Sequence, residues 1–151
     1  MVDILHRIGI KAPLASVHRA IATREGVAGW WTTDVSGSDL LGGQLDFKFF
    51  SKAGDLIGRM VMEVKQLAPK QILWECLEGP PEWIGTKISF DLFEQDGQTI
   101  VLFGHRNWRE AVEPTYHCST KWAIFMLSLR EFVETGKGRP SPDDIKIDNW
   151  N

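Results

Sequence analysis

The chain has 151 residues and a formal net charge of −3, with 43% hydrophobic and 25% charged residues. This length fits a single domain with its own core, and the composition is that of an ordinary globular protein. The acidic charge and the lack of a basic run argue against nucleic-acid binding. No run of about 20 apolar residues could span a membrane. Because the N-terminus lacks a signal peptide and two cysteines do not make a disulfide framework, we expect a cytoplasmic protein.

The first 43 residues are predicted to form one strand, two short helices and a loop. Alternating apolar residues predict a strand over residues 3–11. Pro13 suits the first turn of a helix that ends near Thr23. A second helical piece is predicted over 25–30, with Thr23 as its cap. Residues 34–43 are predicted to be a polar loop.

From residue 44 the apolar period becomes two, which is typical of strands. Further strands are predicted over 44–49, 56–65, 71–76, 86–93 and 99–106. The pair Asp96-Gly97 between the last two is a strong hairpin signal. Short turns between successive strands predict an antiparallel meander, and the first strand can close its edge.

A long amphipathic helix is predicted over residues 116–136, where Gly136 supplies the stop. Its apolar face carries Trp122, Phe125, Met126, Leu129, Phe132 and Val133. Lys121 and Ser128 fall on the polar side. A helix of this length needs a broad apolar surface to lie against. We therefore predict an α+β protein, with a curved antiparallel sheet of about six strands wrapped around a long C-terminal helix.

The boundaries follow from this arrangement. We predict a single domain over 1–140 and a C-terminal tail over 141–151, since no repeat or linker divides the chain. The carboxylates of the tail, Asp143, Asp144 and Asp148, are interpreted as a solvated acidic segment.

Several local motifs, in this order of elements, resemble a known family from about residue 4 to about residue 140. The resembling segments are Ile10-Lys11-Ala12-Pro13, Trp30-Trp31, Gly42-Gly43, Trp83-Ile84-Gly85-Thr86, residues 99–105 and residues 134–138. They resemble the helix-grip fold of the START-like (SRPBCC) superfamily, which includes polyketide cyclases and birch-pollen-allergen-like proteins. The subgroup they resemble is the homologues of the activator of the ninety-kilodalton heat-shock chaperone's ATPase.

The resemblance implies a fold that holds a cavity, and it names no ligand for it. Eukaryotic chaperone activators have an additional N-terminal domain that engages the chaperone, whereas this chain begins at the first strand. We therefore do not expect chaperone activation. The catalytic residues of polyketide cyclases match no positions here.

Large side chains that face the space between sheet and helix are the candidate ligand-binding residues. They are Trp31, Phe47, Phe49, Met60, Met62, Trp74, Trp83, Phe90, Phe103, His105, Trp122 and Met126. They could simply pack as a core, or they could line an apolar pocket for a small organic ligand. Adaptable methionines and many indole N–H groups that need acceptors favour the pocket.

His105 continues the inward-facing row of the last strand. It could be a hydrogen-bonded core residue, a polar anchor for a ligand carbonyl or carboxylate, or a proton shuttle. His6 has the same alternatives. Adjacent residues rarely orient as nucleophile and base, so His117 and Cys118 imply no catalytic pair. The histidines lack ligand spacing and no nucleotide-binding motif occurs, so we expect neither a metal nor a cofactor.

Three functions remain. We rank first the non-catalytic binding of a small hydrophobic molecule. The second is an enzyme of the cyclase or hydratase type that uses His105, although one ionisable group is a thin catalytic set. The third is a homodimer or a protein-interaction, co-chaperone-like module. Its exposed anchors would be Trp108, Trp150 and the segment 143–151.

Overall fold

The computed structural model describes residues 1–151, which form seven strands and three helices in an α+β fold. The strands are β1 (Val2–Ile10), β2 (Asp34–Gly37), β3 (Gln44–Phe50), β4 (Leu56–Ala68), β5 (Gln71–Glu78), β6 (Lys87–Gln95) and β7 (Gln98–Trp108). The helices are α1 (Leu14–Ala22), α2 (Arg24–Ala28) and α3 (Glu113–Thr135). The strands form one antiparallel sheet in the order β1-β7-β6-β5-β4-β3-β2. None of the helices is long and apolar enough to cross a membrane.

Tight turns produce the meander. Between β6 and β7, Asp96 and Gly97 have φ angles of 52° and 75°, and Gln95 lies opposite Gln98. Positive φ at both central residues matches the twist of the strands, so the predicted hairpin is confirmed. The N-terminal strand β1 pairs with β7 and lies at one edge of the sheet, as the sequence predicted.

The segment 34–43 contains a strand, so the prediction of a loop throughout was wrong. The short strand β2 pairs with β3, with Asp34 opposite Lys48 and Gly37 opposite Leu45. Four residues with the sequence Asp-Val-Ser-Gly carry too little alternation to be recognised as a strand. The sheet therefore has seven strands, and β2 forms its second edge.

The two short helices follow the prediction closely. The Thr23 hydroxyl accepts a hydrogen bond from the backbone N–H of Gly26 at 3.0 Å, which caps α2. Helix α2 ends at Ala28, two residues earlier than predicted. At Gly29 a Cβ would lie 2.3 Å from the ring of Phe132, so a glycine here lets α3 approach closely.

Helix α3 lies against the concave side of the sheet and buries Trp122, Phe125, Met126 and Leu129. It begins at Glu113 instead of 116, because a proline such as Pro114 is tolerated in the first helical turn. It ends at Gly136, whose φ of 87° is left-handed and whose N–H donates to the carbonyl of Phe132. A cluster of 28 buried apolar residues fills the space between sheet and helices.

Two residues expected on the solvated side of α3 are buried, so that expectation was wrong. Lys121 and Ser128 are 7% and 3% exposed. The Ser128 hydroxyl donates to the carbonyl of Trp30 at 2.9 Å and accepts from the N–H of Arg139 at 2.8 Å. The chain after α3 therefore folds back over this side, where Ser141 donates its N–H to the carbonyl of Trp31.

Candidate functional site

A cavity of about 240 Å³ lies between the first half of α3, the start of β4, the loop before β6 and residues 141–151. Its apolar lining comprises Trp31, Phe49, Ile57, Met60, Pro80, Trp83, Pro114, Trp122, Phe125 and Trp150. Its polar lining includes Glu82, His117, Cys118, Lys121, Ser141, Asp144, Lys146 and Asn151. Ile57 and Trp150 are 50% and 48% exposed, so the cavity opens to solvent beside them.

Indole and phenyl rings form the inner wall. The ring centroids of Trp31 and Trp122 lie 5.0 Å apart at an interplanar angle of 34°. Trp83 and Trp122 are 6.3 Å apart at 30°, and Phe49 meets Trp31 edge to face at 5.3 Å. Each ring packs against another, so the wall is held in place by its own aromatic contacts.

Five of the twelve candidate residues line this cavity: Trp31, Phe49, Met60, Trp83 and Trp122. The other seven lie in the buried core and do not line it: Phe47, Met62, Trp74, Phe90, Phe103, His105 and Met126. Strand alternation identifies the inward face. It does not say how far along that face the helix packs tightly and where it leaves room.

The polar lining that sequence reasoning missed comes mostly from α3 and the tail. Lys121 donates to a carboxylate oxygen of Asp144 and to the carbonyl of Ile145 at 2.9 Å. The ammonium of Lys146 reaches the other oxygen of Asp144 at 3.1 Å. Asp144 is 6% exposed, so its assignment to a solvated segment was wrong. Residues 141–151 have no periodic pattern that would have predicted this contact. The only signal in the sequence was the charged side chain of Lys121 on α3, which would need an acidic partner if it were buried.

Charge pairing controls the ionisation of Asp144. Burial alone would raise the pKa of its carboxyl group. The hydrogen bond and the charge of Lys121, helped by those of Lys146, outweigh burial and hold the pKa of Asp144 below its ordinary 3.8. Asp144 is therefore an anion at neutral pH, and it neutralises a buried cation.

A second contact holds the end of the tail on α3. His117 Nδ1 lies 2.6 Å from a carboxylate oxygen of Asp148, and the ring of Trp150 packs on the imidazole with centroids 5.1 Å apart. The hydrogen bond from His117 holds the pKa of Asp148 below its ordinary value. Asp148 itself is exposed, as expected. The buried Oδ1 atom of Asn151 has no hydrogen-bond partner.

His105 lies behind the aromatic wall and is fully buried. The indole N–H of Trp122 donates to its Nδ1 at 3.1 Å, so Nδ1 must be an unprotonated acceptor. A neutral ring then carries its proton on Nε2, which donates to the hydroxyl of Thr86 at 2.8 Å. That hydroxyl donates in turn to the carbonyl of Trp83. His105 thus fixes the positions of two wall tryptophans.

His105 and the two cysteines are unsuited to acid-base or nucleophilic chemistry. Burial lowers the pKa of His105 from 6.5 to about 3, and both of its nitrogens are engaged. Burial also raises the pKa of the Cys118 thiol to about 12 and that of Cys76 to about 11. Both thiols stay protonated and unreactive at neutral pH. No group of three or more histidine, cysteine or carboxylate side chains is arranged to hold a metal ion.

Other predicted positions serve packing. His6 Nε2 lies 3.0 Å from the carbonyl of Ser119 and joins β1 to α3. Trp108, proposed as an exposed anchor, is 1% exposed and packs against His105 with centroids 4.7 Å apart, so that assignment was wrong. Its indole N–H has no acceptor. Trp150 is exposed over 48% of its surface, as expected for an anchor.

An antiparallel sheet wrapped around a long C-terminal helix, with a cavity between them, defines the helix-grip class of START-like proteins. The family model described as "Activator of Hsp90 ATPase homolog 1-like protein" matches residues 11–134. The chain belongs to this family. A comparison with proteins of curated function gave no match.

Solved structures give the same fold. The chain is similar to a protein from Colwellia psychrerythraea described as an Aha1 dimer, with 41% identity and a TM-score of 0.78 over 91% of this chain and 100% of that chain. It is also similar to a protein from Staphylococcus saprophyticus, with 16% identity and a TM-score of 0.73 over 93% and 98% of the two chains. CalU16 from Micromonospora echinospora has 15% identity and a TM-score of 0.69 over 89% and 77%. The last two show likeness of fold only.

Proposed function

We propose that this protein binds a small hydrophobic molecule, without transforming it, in the cavity between the sheet, α3 and the tail. The observation that carries the proposal is the aromatic lining by Trp31, Trp83 and Trp122 beside an opening to solvent. Binding sites for small organic molecules are concave and mostly apolar, with a few placed polar groups. Of the candidate residues, we assign ligand contact to these tryptophans, Phe49 and Met60.

The cavity volume of about 240 Å³ limits the ligand to a small molecule. An apolar cavity of about 150 Å³ accepts benzene, so this one has room for a ring system larger than benzene. Ligands of drug size occupy pockets of about 300–1,000 Å³. We therefore expect one or two rings or a short branched chain, and we do not expect a long acyl chain.

The absence of catalysis is also part of the proposal. His105 does not line the cavity, and its low pKa keeps it from exchanging protons near neutral pH. The Cys118 thiol faces the cavity, but a pKa of about 12 leaves almost no thiolate. His117, the histidine on the lining, is engaged by Asp148 and Trp150, so no free histidine faces the cavity for the proton transfer that an enzyme of the cyclase or hydratase type needs.

Thermal unfolding with a panel of one- and two-ring compounds tests the proposal, because selective binding to the folded state raises Tm. The critical variant is Gly58→Leu. Gly58 lines the cavity, and a Cβ there would lie 3.8 Å from Phe49, which is an ordinary contact. A leucine should fill the cavity without strain and abolish the ligand-induced shift.

The matched control is Lys65→Leu, which places the same side chain on the same strand at a solvent-exposed ion pair. Exposed pairs of this kind contribute little to stability, because water and salt screen them. This control should keep the ligand response of the wild type. No response of the wild type to any compound, or an equal response in Gly58→Leu, would contradict the proposal.

A second candidate, self-association, is favoured by one comparison. The Colwellia psychrerythraea protein, 41% identical to this chain, is described as a dimer. We infer that this chain also forms a homodimer. Light scattering coupled to gel filtration of the full chain should give twice the chain mass of 17.1 kDa. A mass of one chain at all concentrations up to about 100 µM would refute this inference.

We also propose that the protein works in the cytoplasm and that residues 1–140 form one domain with 141–151 as an attached tail. Both cysteines are free thiols, which suits a reducing compartment. The tail contacts the domain through Asp144 and Asp148. Cell fractionation tests the location, and an unfolding transition that is single by several probes tests the domain.

A further inference from the structure

We propose that the ligand of this cavity is a planar aromatic molecule that carries one carboxylate group, which Lys121 binds. The inference rests on the proposed function, because it names the chemistry of a ligand for the same cavity. It depends on two features of the lining: the aromatic wall and an ammonium group with an unused hydrogen-bond donor.

The wall favours a flat ring system. Trp31 and Trp83 are inclined to the plane of Trp122 by 34° and 30°, so each of the two rings is moderately tilted against the central one. Aromatic pairs in offset-stacked or edge-to-face contact are more favourable than their buried area alone would make them. The edge of Phe49 on Trp31 and the ring of Phe125 near Lys121 extend the same surface. A planar ligand can stack here, whereas a bulky saturated one would touch fewer ring faces.

The polar end of the site is the ammonium group of Lys121. An ammonium has three N–H donors. Two of them are used by Asp144 and by the carbonyl of Ile145. No third acceptor from the chain lies within hydrogen-bond distance, and the ring of Phe125 lies 5.3 Å from Nζ. Lys121 is only 7% exposed and lines the cavity, so a ligand oxygen is the acceptor that could complete its hydrogen bonding.

The charges beside this donor favour an anionic acceptor over a neutral one. Asp144 is shared between Lys121 and Lys146, so these three groups carry one excess positive charge. A charge-assisted hydrogen bond in a buried site is about twice as strong as a neutral one. The salt bridge with Asp144 also holds the ammonium in place before the ligand arrives.

Two acceptors on the lining work against this preference. The Glu82 carboxylate makes no ion pair or hydrogen bond within the chain, but it is half-buried and its charge is partly screened by water. The buried Oδ1 of Asn151 would accept a hydroxyl or an amine. If these groups dominated, the site would prefer a hydrogen-bond donor or a cation, and the test must separate these outcomes.

Isothermal titration with three compounds that share one ring system distinguishes a preference for an anion from a preference for a hydrogen-bond donor or a cation. The probes are 2-naphthoate, 2-naphthalenemethanol and 2-naphthylmethylamine, at pH 7 and low ionic strength. We expect 2-naphthoate to bind at least tenfold more tightly than the alcohol, and the amine to bind most weakly. Equal affinities, or tighter binding of the alcohol or the amine, would overturn the proposal and leave the proposed function standing. If none of the three binds, both fail.

Two variants test whether Lys121 causes the preference for 2-naphthoate. The double variant Lys121→Met/Asp144→Leu replaces the buried pair with apolar side chains of similar size, which is often tolerated. It should bind 2-naphthoate within threefold of the alcohol, whatever its affinity for the alcohol itself. Glu82→Gln should tighten 2-naphthoate at least twofold. A tenfold preference for 2-naphthoate that survives in the double variant would refute the role of Lys121.

Discussion

The buried imidazole of His105 makes a specific prediction about acid stability. Its pKa is about 3 in the folded protein and 6.5 when unperturbed. His105 therefore becomes protonated below about pH 6.5 in the unfolded state, but only below about pH 3 in the folded state. The stability that comes from keeping this ring neutral is fully present above pH 6.5 and is lost as the pH falls towards 3.

The magnitude follows from the two pKa values. At pH 5 the solution is about 1.5 pH units below the unperturbed pKa of 6.5 and still about 2 units above the folded-state pKa of about 3. Only the unfolded state therefore gains free energy by binding the proton, and the gain corresponds to about 1.5 pKa units. At about 1.36 kcal/mol per unit, His105 should cost about 2 kcal/mol of unfolding free energy between pH 7 and pH 5. The variant His105→Gln removes this titration. Its side-chain oxygen can accept from Trp122 and its amide can donate to Thr86.

Urea unfolding at pH 7 and pH 5, followed by tryptophan fluorescence, measures the effect. We expect the wild type to lose about 2 kcal/mol more than His105→Gln between these pH values. The remaining histidines and carboxylates are common to both proteins and cancel in the difference. An equal loss in both proteins would show that His105 is not buried as a neutral ring. Nitrogen NMR of the imidazole should independently show Nδ1 unprotonated at both pH values.

Three further predictions concern the contacts of α3. Lys121→Met removes one of the two ammonium partners of Asp144, which keeps Lys146, and should cost about 1.5–3 kcal/mol, the range of a hydrogen bond to a charged group. Adding Asp144→Leu should bring the loss below about 1 kcal/mol, and equal losses in urea unfolding would contradict this coupling. Ser128→Ala removes two hydrogen bonds at about 1 kcal/mol each and should speed proteolysis of the tail, so unchanged stability and cleavage would refute its anchoring role. Gly29→Ala should cost about 1–3 kcal/mol because its Cβ meets the ring of Phe132, and adding Phe132→Leu should recover part of that loss; no recovery would exclude this clash.

Most of the fold could be predicted from the sequence because its elements have strong periodic patterns. The alternation in β3 to β7 and the Asp96-Gly97 turn predicted the order of the meander. The apolar face of α3 predicted which of its residues meet the sheet. The strand β2 escaped recognition, because a short edge strand with one apolar residue has no pattern that distinguishes it from a loop.

The candidate site was less predictable, because its geometry depends on contacts distant in sequence. The alternation of side chains along β7 placed His105 on the inner face. The partners that keep it a neutral core residue are Thr86, just before β6, and Trp122 on α3. Lys121 looked solvated by helical periodicity. Its partner Asp144 lies 23 residues further on, in a segment without regular structure. The room beneath α3 depends on how large side chains interlock, and a hydrophobic pattern does not describe this.

The indole N–H signals of the seven tryptophans test the central claim most directly, since they report on the cavity and on the core in one spectrum. Trp31, Trp83, Trp122 and Trp150 line the cavity, whereas Trp30, Trp74 and Trp108 do not. During titration with 2-naphthalenemethanol, a proton–nitrogen correlation spectrum should show the largest changes at the first four. Unchanged spectra, or changes that are largest at Trp30, Trp74 and Trp108, would contradict the account.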